Sequence, residues 1–261
     1  MMHFLLFTLA APFASFGAVA VGGRRPSWDR PAKSQVIGLL AAALGIPRID
    51  EERQLSLAGD LEFAVRVDDP GRAATDFQTA QAPSEVSMRR RAKTAGPIRT
   101  RGDELDCDEL KTILSRREYR LGSHHTIAIW RRAGEEPSLT ALAAALRRPA
   151  FTPYAGRKAH PLMWPMAPAL IEAEGLREAF AAFDAASPER LALWRDFGVR
   201  HDAQRPIFTD LSALPAADQR TAIARLDERR DEPENRAQWR FGLRTEAMLQ
   251  PIQPQQRDDM P

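Results

Sequence analysis

The 261-residue chain has one cysteine, Cys107, and only four lysines among its 37 basic side chains. A single thiol closes no internal disulfide and builds no cysteine zinc site. That excludes a disulfide-stapled secreted scaffold and a zinc ribbon, and it fits a reducing, cytoplasmic compartment. Metal-ligand spacing is also missing. The five histidines, His3, His124, His125, His160 and His201, form no HExxH or related set. The adjacent His124 and His125 would point to opposite faces of a strand. No metal or other cofactor is expected. There is no GxSxG, and Cys107 lies among Asp103, Glu104, Asp106, Asp108 and Glu109, a surround unsuited to a thiolate nucleophile. A P-loop is missing too, because Ala32 stands where a glycine must precede Lys33-Ser34. Phe4 to Gly23 is uncharged, yet no Lys or Arg precedes it and Pro12 interrupts it. Gly17, Gly22 and Gly23 lower its helical tendency further. It reads as a strand, His3 to Leu9, and a Gly-rich loop, rather than as a signal peptide or membrane anchor.

What the chain has is arginine. Its rigid donor fork suits phosphate and stacks on bases; a GC-rich coding bias, which raises Ala and Arg together, is the bland source. The charge is uneven. Residues 1–48 carry five basic and one acidic side chains, and residues 49–84 carry three and eight. Residues 85–132 carry twelve and seven, and residues 172–232 carry nine and thirteen. Two basic segments separated by an acidic one could converge in space as one anion-binding surface, which the sequence alone does not show.

Hydrophobic spacing predicts the elements. Val36, Ile37, Leu40 and Leu44 stripe a helix from Lys33 to Leu44, ended by Gly45 and Pro47. Leu61, Phe63, Val65 and Val67 alternate with polar or small residues, as in a half-buried strand, and Asp69-Pro70-Gly71 turns the chain. Gln81 to Ser115 reads as a charged insertion, Thr126 to Trp130 as a strand. Ser138 caps a helix through Leu146. The proline-rich residues 149–168 read as a long ordered loop or a linker. One or two helices are expected from Gly175 to Phe197, another from Leu214 to Arg230, and a frayed polar end from Gln250. The first 150 residues thus read strand, helix, strand, insertion, strand, helix; with one more strand this is βαββαβ, the ferredoxin-like pattern.

Basic groups interleave with aromatics at Arg24, Arg25, Arg30 and Lys33, at Arg89-Arg90-Arg91, Lys93, Arg99 and Arg101, at Arg116, Arg117, Tyr119 and Arg120, and at Tyr154, Arg157 and Lys158. That pattern suits single-stranded RNA, whose phosphates need charge and whose splayed bases need stacking partners. Lys33 and Ser34 at a helix start would meet phosphate through backbone N–H groups, or Ser34 would simply cap the helix.

Several of these residues carry a resemblance. Leu5 to Gly17, Arg25-Pro26-Ser27, Pro31-Ala32-Lys33-Ser34 with Gly38-Leu39-Leu40, Phe63 to Asp68, Asp76-Phe77-Gln78-Thr79, Arg117-Glu118-Tyr119, Tyr154-Ala155-Gly156-Arg157-Lys158, and Arg230-Asp231-Glu232-Pro233 with Phe241 and Arg244 follow one order. They resemble the motifs of the Cas-five-type subunits of type I-E CRISPR Cascade complexes, in the RAMP superfamily. Ser15-Phe16 stands where the family favours Ala-Trp, and His160 replaces its common Cys.

The resemblance implies an α+β fold: a ferredoxin-like (RRM-like) core over 1–170, a thumb hairpin inserted at about 81–116, and a smaller C-terminal region over 171–261. It implies a non-catalytic subunit holding the repeat-derived 5′ handle of a CRISPR RNA in antiviral defence. Backbone subunits and the large PAM-reading subunit would be its partners, with target DNA met indirectly and no membrane. The expected RNA-binding residues are Arg24, Arg25, Arg30, Lys33, Ser34, Phe77, Gln78, Arg99, Arg101, Arg116, Arg117, Tyr119, Arg157 and Lys158, with Phe77 and Gln78 acting on one unstacked base. The alternative is a metal-independent endoribonuclease using His124 or Tyr119.

Overall fold

A computed structural model describes residues 1–199, 205–219, 223–235, 238 and 240–249. The first strand, β1 (Met2–Ala14), runs five residues beyond Leu9 and straight through Pro12. Strand pairing on one side of β1 stops at Leu6, so no ladder there is interrupted by the missing N–H. Two short strands, β2 (Phe16–Gly17) and β4 (Ser27–Trp28), pair with each other, and between them β3 (Arg24–Arg25) joins the main sheet. Helix α1 (Lys33–Ala43) starts at an extended Ala32, whose N–H donates to the Gln35 side chain at 3.1 Å. Gly45, at φ 73°, ends it. Helix α2 (Glu51–Asp60) carries no apolar stripe to announce it; Asp50 caps it, and only Gln54, Leu57 and Ala58 are buried.

Next come β5 (Leu61–Asp69), β6 (Arg72–Pro83), α3 (Glu85–Ala95), α4 (Arg101–Leu105) and the 22-residue β7 (Leu110–Arg131). Helix α5 (Leu139–Arg147), capped by Ser138, then leads to β8 (Ala169–Ala173). The chain continues with α6 (Leu176–Ala185), α7 (Pro188–Asp196), β9 (Ile207–Asp210), β10 (Ile223–Asn235) and β11 (Arg240–Leu249). The fold is α+β around a large sheet ordered β10-β11-β9-β5-β7-β1-β8, with β3 and β6 also on β7. Every neighbour in that order is antiparallel.

Both sheet faces are covered. Leu5, Phe7, Leu9, Phe63 and Val65 pack against Val36, Leu40, Leu57 and Leu142 of α1, α2 and α5. Phe4, Leu6, Ala64 and Trp130 pack against Leu176, Phe180 and Phe183 of α6. This corrects the half-buried reading of β5, where Glu62, Arg66 and Asp68 are buried as well. Arg66 donates to Asp68 at 2.8 Å and to Asp184 of α6 at 2.8 and 2.9 Å, and Arg205 joins both carboxylates. Burial opposes the Asp68 charge, but Arg66 and Arg205 win and hold its pKa down to about 2.

The helix expected from Leu214 to Arg230 is a second correction, because residues 223–235 are strand β10. Its inward face carries Arg229 and Asp231, which meet Arg244 and Glu246 across the hairpin. Charge pairs occupy positions where alternation of apolar residues would have announced a strand. The expected polar end beyond Gln250 lies outside the described residues.

Strands β5 and β6 follow one another along the same side of β7. The sheet holds β7 from Arg120 onward; the rest of β7 leaves it with β6 as an arm that β3 joins at Arg116–Arg117 and that is two-stranded beyond. Twelve residues of β6 reach about 40 Å. Gly71 and Gly122, at φ 66° and 67°, mark the root, and a Cβ on Gly71 would meet the Leu121 carbonyl oxygen at 2.5 Å. Helices α3 and α4 close the tip. The segment expected as a thumb, 81–116, forms the distal part of this arm.

Candidate nucleic-acid interface

Three remote segments meet at the arm root. Strand β3 lies parallel to β7, placing Arg24 beside Arg116 and Arg25 beside Arg117. The Arg116 N–H donates to the Gly23 carbonyl at 2.9 Å, and a Cβ on Gly23 would sit 2.5 Å from the Leu114 oxygen. Only glycine allows that approach. Glu118 holds the junction: it accepts from Arg24 Nε at 2.8 Å and from the Ser27 N–H at 3.3 Å. The Arg24 hydrogen bond pulls its pKa below the usual carboxylate value. The third segment is the proline-rich loop, whose Arg157 donates to the Glu118 carbonyl at 3.1 Å. Gly156, at φ 86°, passes so close to the Ser15 carbonyl that any Cβ would overlap it. The two basic stretches of sequence thus converge at this root.

Opposed residues in an antiparallel pair share a face, and neighbours along a strand alternate. Phe77 opposes Arg116 and Gln78 opposes Ser115, so they lie on opposite faces of the arm. The expectation that both act on one base is corrected accordingly. One face carries Arg24, Arg116 and Phe77, with the Arg116 guanidinium 6.0 Å from the Phe77 ring, which is 60% exposed. The other carries Arg25, Arg117, Tyr119 and Asp76. There Tyr119 donates to Asp76 at 3.0 Å and lies 5.8 Å from Phe13 and 6.1 Å from His160, ring to ring. Burial and the neighbouring Arg117 charge push the Arg157 pKa down. Burial and Arg157 do the same to His160, keeping that imidazole neutral at neutral pH. Two guanidiniums in mutual repulsion beside exposed rings make a place where an anion is favoured. Phe13 and His160 were not among the sequence candidates, and no spacing marks them, because only the fold brings them to Tyr119.

Arg30 and Lys33 are elsewhere. Each is 1% exposed. Arg30 is held by Glu246 at 2.5 Å, Asp29 at 2.7 Å and Asp227 at 3.1 Å. Lys33 Nζ lies 2.8 Å from Glu232, and its backbone N–H donates to Asp231 at 2.9 Å. The helix N-terminus expected to meet phosphate is therefore filled by a carboxylate of the same chain. Ser34 is buried beside them. Burial and pairing make these three structural.

Arg99 and Arg101 sit at the arm tip, seven or more residue pairs from Arg117. Between Ser84 and Glu109 six basic side chains face six acidic ones. Arg90 pairs with Asp108, Arg91 with Asp103, and Arg101 with Glu104. The unbalanced positive charge is at the root. Lys158 is exposed on the loop next to Arg157.

Comparison with known proteins identifies the family. The family described as CRISPR-associated protein (Cas_Cas5) matches residues 4–245. The chain belongs to the Cas5 family. It is 30% identical over 166 residues to the Escherichia coli (strain K12) CRISPR system Cascade subunit CasD, spanning 64% of this chain and 70% of that relative. Its fold is similar to a chain of a CRISPR RNA-guided surveillance complex, with TM-score 0.54, 23% identity and coverage of 95% and 91%. A second similar structure, a Cas protein, gives TM-score 0.55, 22% identity and 95% of each chain.

The Cas5 motifs divide by role. Arg66 with Asp68, and Lys33 with Asp231 and Arg244, lie in buried ion networks. Arg25, Arg117, Tyr119 and the Tyr154–Lys158 loop converge at the exposed root. Among the described residues no His/Cys/Asp/Glu group could hold a metal ion, and no helix is long and apolar enough to cross a membrane.

Proposed function

We propose that this Cas5-family chain is a non-catalytic subunit of a type I-E Cascade complex. It holds the repeat-derived 5′ handle of a CRISPR RNA at the arm root, in cytoplasmic antiviral defence. The observation that carries this reading is that β3, β7 and the proline-rich loop meet at the root, with Arg25, Arg117 and Arg157 near Tyr119 and Phe13, while Arg24, Arg116 and Phe77 lie on the opposite face of the arm. The strands β8-β1-β7-β5, linked through α1 and α5, support a ferredoxin-like (RRM-like) core over 1–170, with the arm as thumb and residues 171–261 as a smaller C-terminal region. An RRM reads RNA on its open sheet face. Here α6 covers that face, which directs RNA to the root instead. The repeat is constant, so its bases can be read; the spacer varies and must be held by backbone and shape. Backbone subunits and the large PAM-reading subunit are the partners this role requires, with target DNA met through them.

Endoribonuclease chemistry finds little support in the named residues. His124 is buried against the Trp194 ring, 3.8 Å between centroids. The Tyr119 hydroxyl donates to Asp76, which raises the Tyr119 pKa, away from use as a base. The test is fluorescence anisotropy with labelled repeat RNA across a salt series, in buffer without divalent metal. Arg117→Ala and Arg157→Ala should each weaken binding and reduce the log K against log salt slope by about 0.7. The RNA should remain whole. Unchanged slopes would remove the root as the site, and cut RNA would make the protein a nuclease.

A further inference from the structure

A half-open cleft of about 640 Å³ lies between α1, the start of α2 and the proline-rich loop, with Tyr154 and Lys158 in its lining. Its floor is the outer face of α1 at Gly38 and Ala42, where the absence of bulk leaves a flat surface. Tyr154, 39% exposed, forms a wall, and Arg48 and Lys158 stand at the rim. The far wall contains Gln54, 5% exposed, whose Oε1 has no hydrogen-bond partner. Its Nε2 donates to the Ile46 and Pro47 carbonyls at 3.4 and 3.5 Å, both long. Carbonyls only accept, so these bonds fix which end of the amide is the unused acceptor. A buried acceptor without a donor is costly, and native structures leave few. Oε1 is itself buried, and the terminal torsion of glutamine is broad, so reaching a base in the cleft requires this torsion to turn, at the loss of two weak bonds.

Flat floor, aromatic wall, cationic rim and one acceptor are the parts of a nucleotide site. We propose that the cleft takes a single unpaired nucleotide whose base carries an exocyclic amino group. The base lies on Gly38 and Ala42 beside Tyr154, its amino group donates to Gln54 Oε1, and its phosphate meets Lys158 and Arg48. Gln54 is then the specificity-determining residue. With the guide RNA as source, this rests on the reading above; a free nucleotide offers the same chemistry. A built acceptor discriminates sharply against an analogue lacking the donor.

The full chain is titrated with repeat-derived RNA in which nucleotides are replaced one at a time. Purine riboside replaces adenosine, inosine replaces guanosine and uridine replaces cytidine. One position should lose about tenfold in affinity, the worth of one good hydrogen bond. Gln54→Leu should erase that discrimination while leaving the salt slope intact, and Tyr154→Ala should weaken binding at the same position. A melting curve on each variant separates loss of fold from loss of reading. RNA that binds with no discriminating position, or discrimination that survives in Gln54→Leu, overturns the cleft while the arm root stands. Adenosine and cytidine 5′-monophosphates are titrated in parallel against purine riboside and uridine 5′-monophosphates. If RNA fails to bind but the amino-bearing monophosphates bind in preference, and Gln54→Leu abolishes it, the cleft is a free-nucleotide site and the guide-holding reading falls. Binding of neither overturns both.

Discussion

Lys33→Met separates the two roles that a sequence motif conflates. Lys33 stands in a basic run and opens a helix, yet its ammonium lies 2.8 Å from Glu232 and 3.9 Å from Glu62. Methionine keeps the volume and removes the charge. Glu62 stays buried with Arg132 as its remaining cation, and Glu232, partly exposed, recovers some solvation. Breaking a buried pair from one side costs about 3–5 kcal/mol; the exposure of Glu232 moves the expectation to about 3. For a chain of this size each kcal/mol shifts Tm by about 2–4 °C. Scanning calorimetry should therefore show a Tm about 6–12 °C lower than wild type. Repeat-RNA affinity measured well below that Tm should be unchanged, and so should its salt slope. A slope reduced by about 0.7 at unchanged Tm would show that Lys33 meets phosphate, and would refute its assignment to the buried network.

Other consequences follow from the same geometry. Burial lowers the His125 pKa to about 4 from an ordinary 6.5, so between these values the unfolded chain carries a proton that the fold refuses. Stability should fall as pH drops from 6.5 to 4, by about 3 kcal/mol from this group, and His125→Gln should flatten urea midpoints over that window. Gly156→Ala must move the loop off Ser15 and strain its backbone; a loss of about 2 kcal/mol or more is expected, with weaker RNA binding as Arg157 is displaced, readable by melting and anisotropy on one sample. Replacing residues 84–109 by Asn-Gly removes a tip of balanced charge and joins Pro83 to its paired Leu110. The core should melt as before, and RNA affinity should fall less than in Arg117→Ala; a larger fall would return Arg99 and Arg101 to the site.

The elements that alternate or stripe with apolar residues were legible: β1, α1, β5, the inner half of β7, α5, α6 and α7. The failures share a cause. Strand β10 turns Arg229 and Asp231 inward, where the code of alternation expects Leu or Val. Strand β6 is exposed on both faces, so its residues carry no burial pattern at all. Helix α2 buries only three side chains. At the candidate site the basic residues were visible but their roles were not. Arg30 and Lys33 look like Arg25 and Arg117 in sequence; the C-terminal hairpin, some 200 positions away, supplies Asp227, Glu232 and Glu246, most of the carboxylates that hold them. Gln54 had no signal, because an unsatisfied acceptor exists only in a fold.

The most direct test of the central claim is the identity of the RNA that the chain carries. The tagged protein is drawn from its native cell and the ends of the bound RNA are sequenced. The account predicts one repeat-derived 5′ end shared by all molecules, followed by sequence that varies, and loss of that RNA from an Arg117→Ala, Arg157→Ala double variant. RNA with scattered 5′ ends, or the same RNA retained by the double variant, would contradict it.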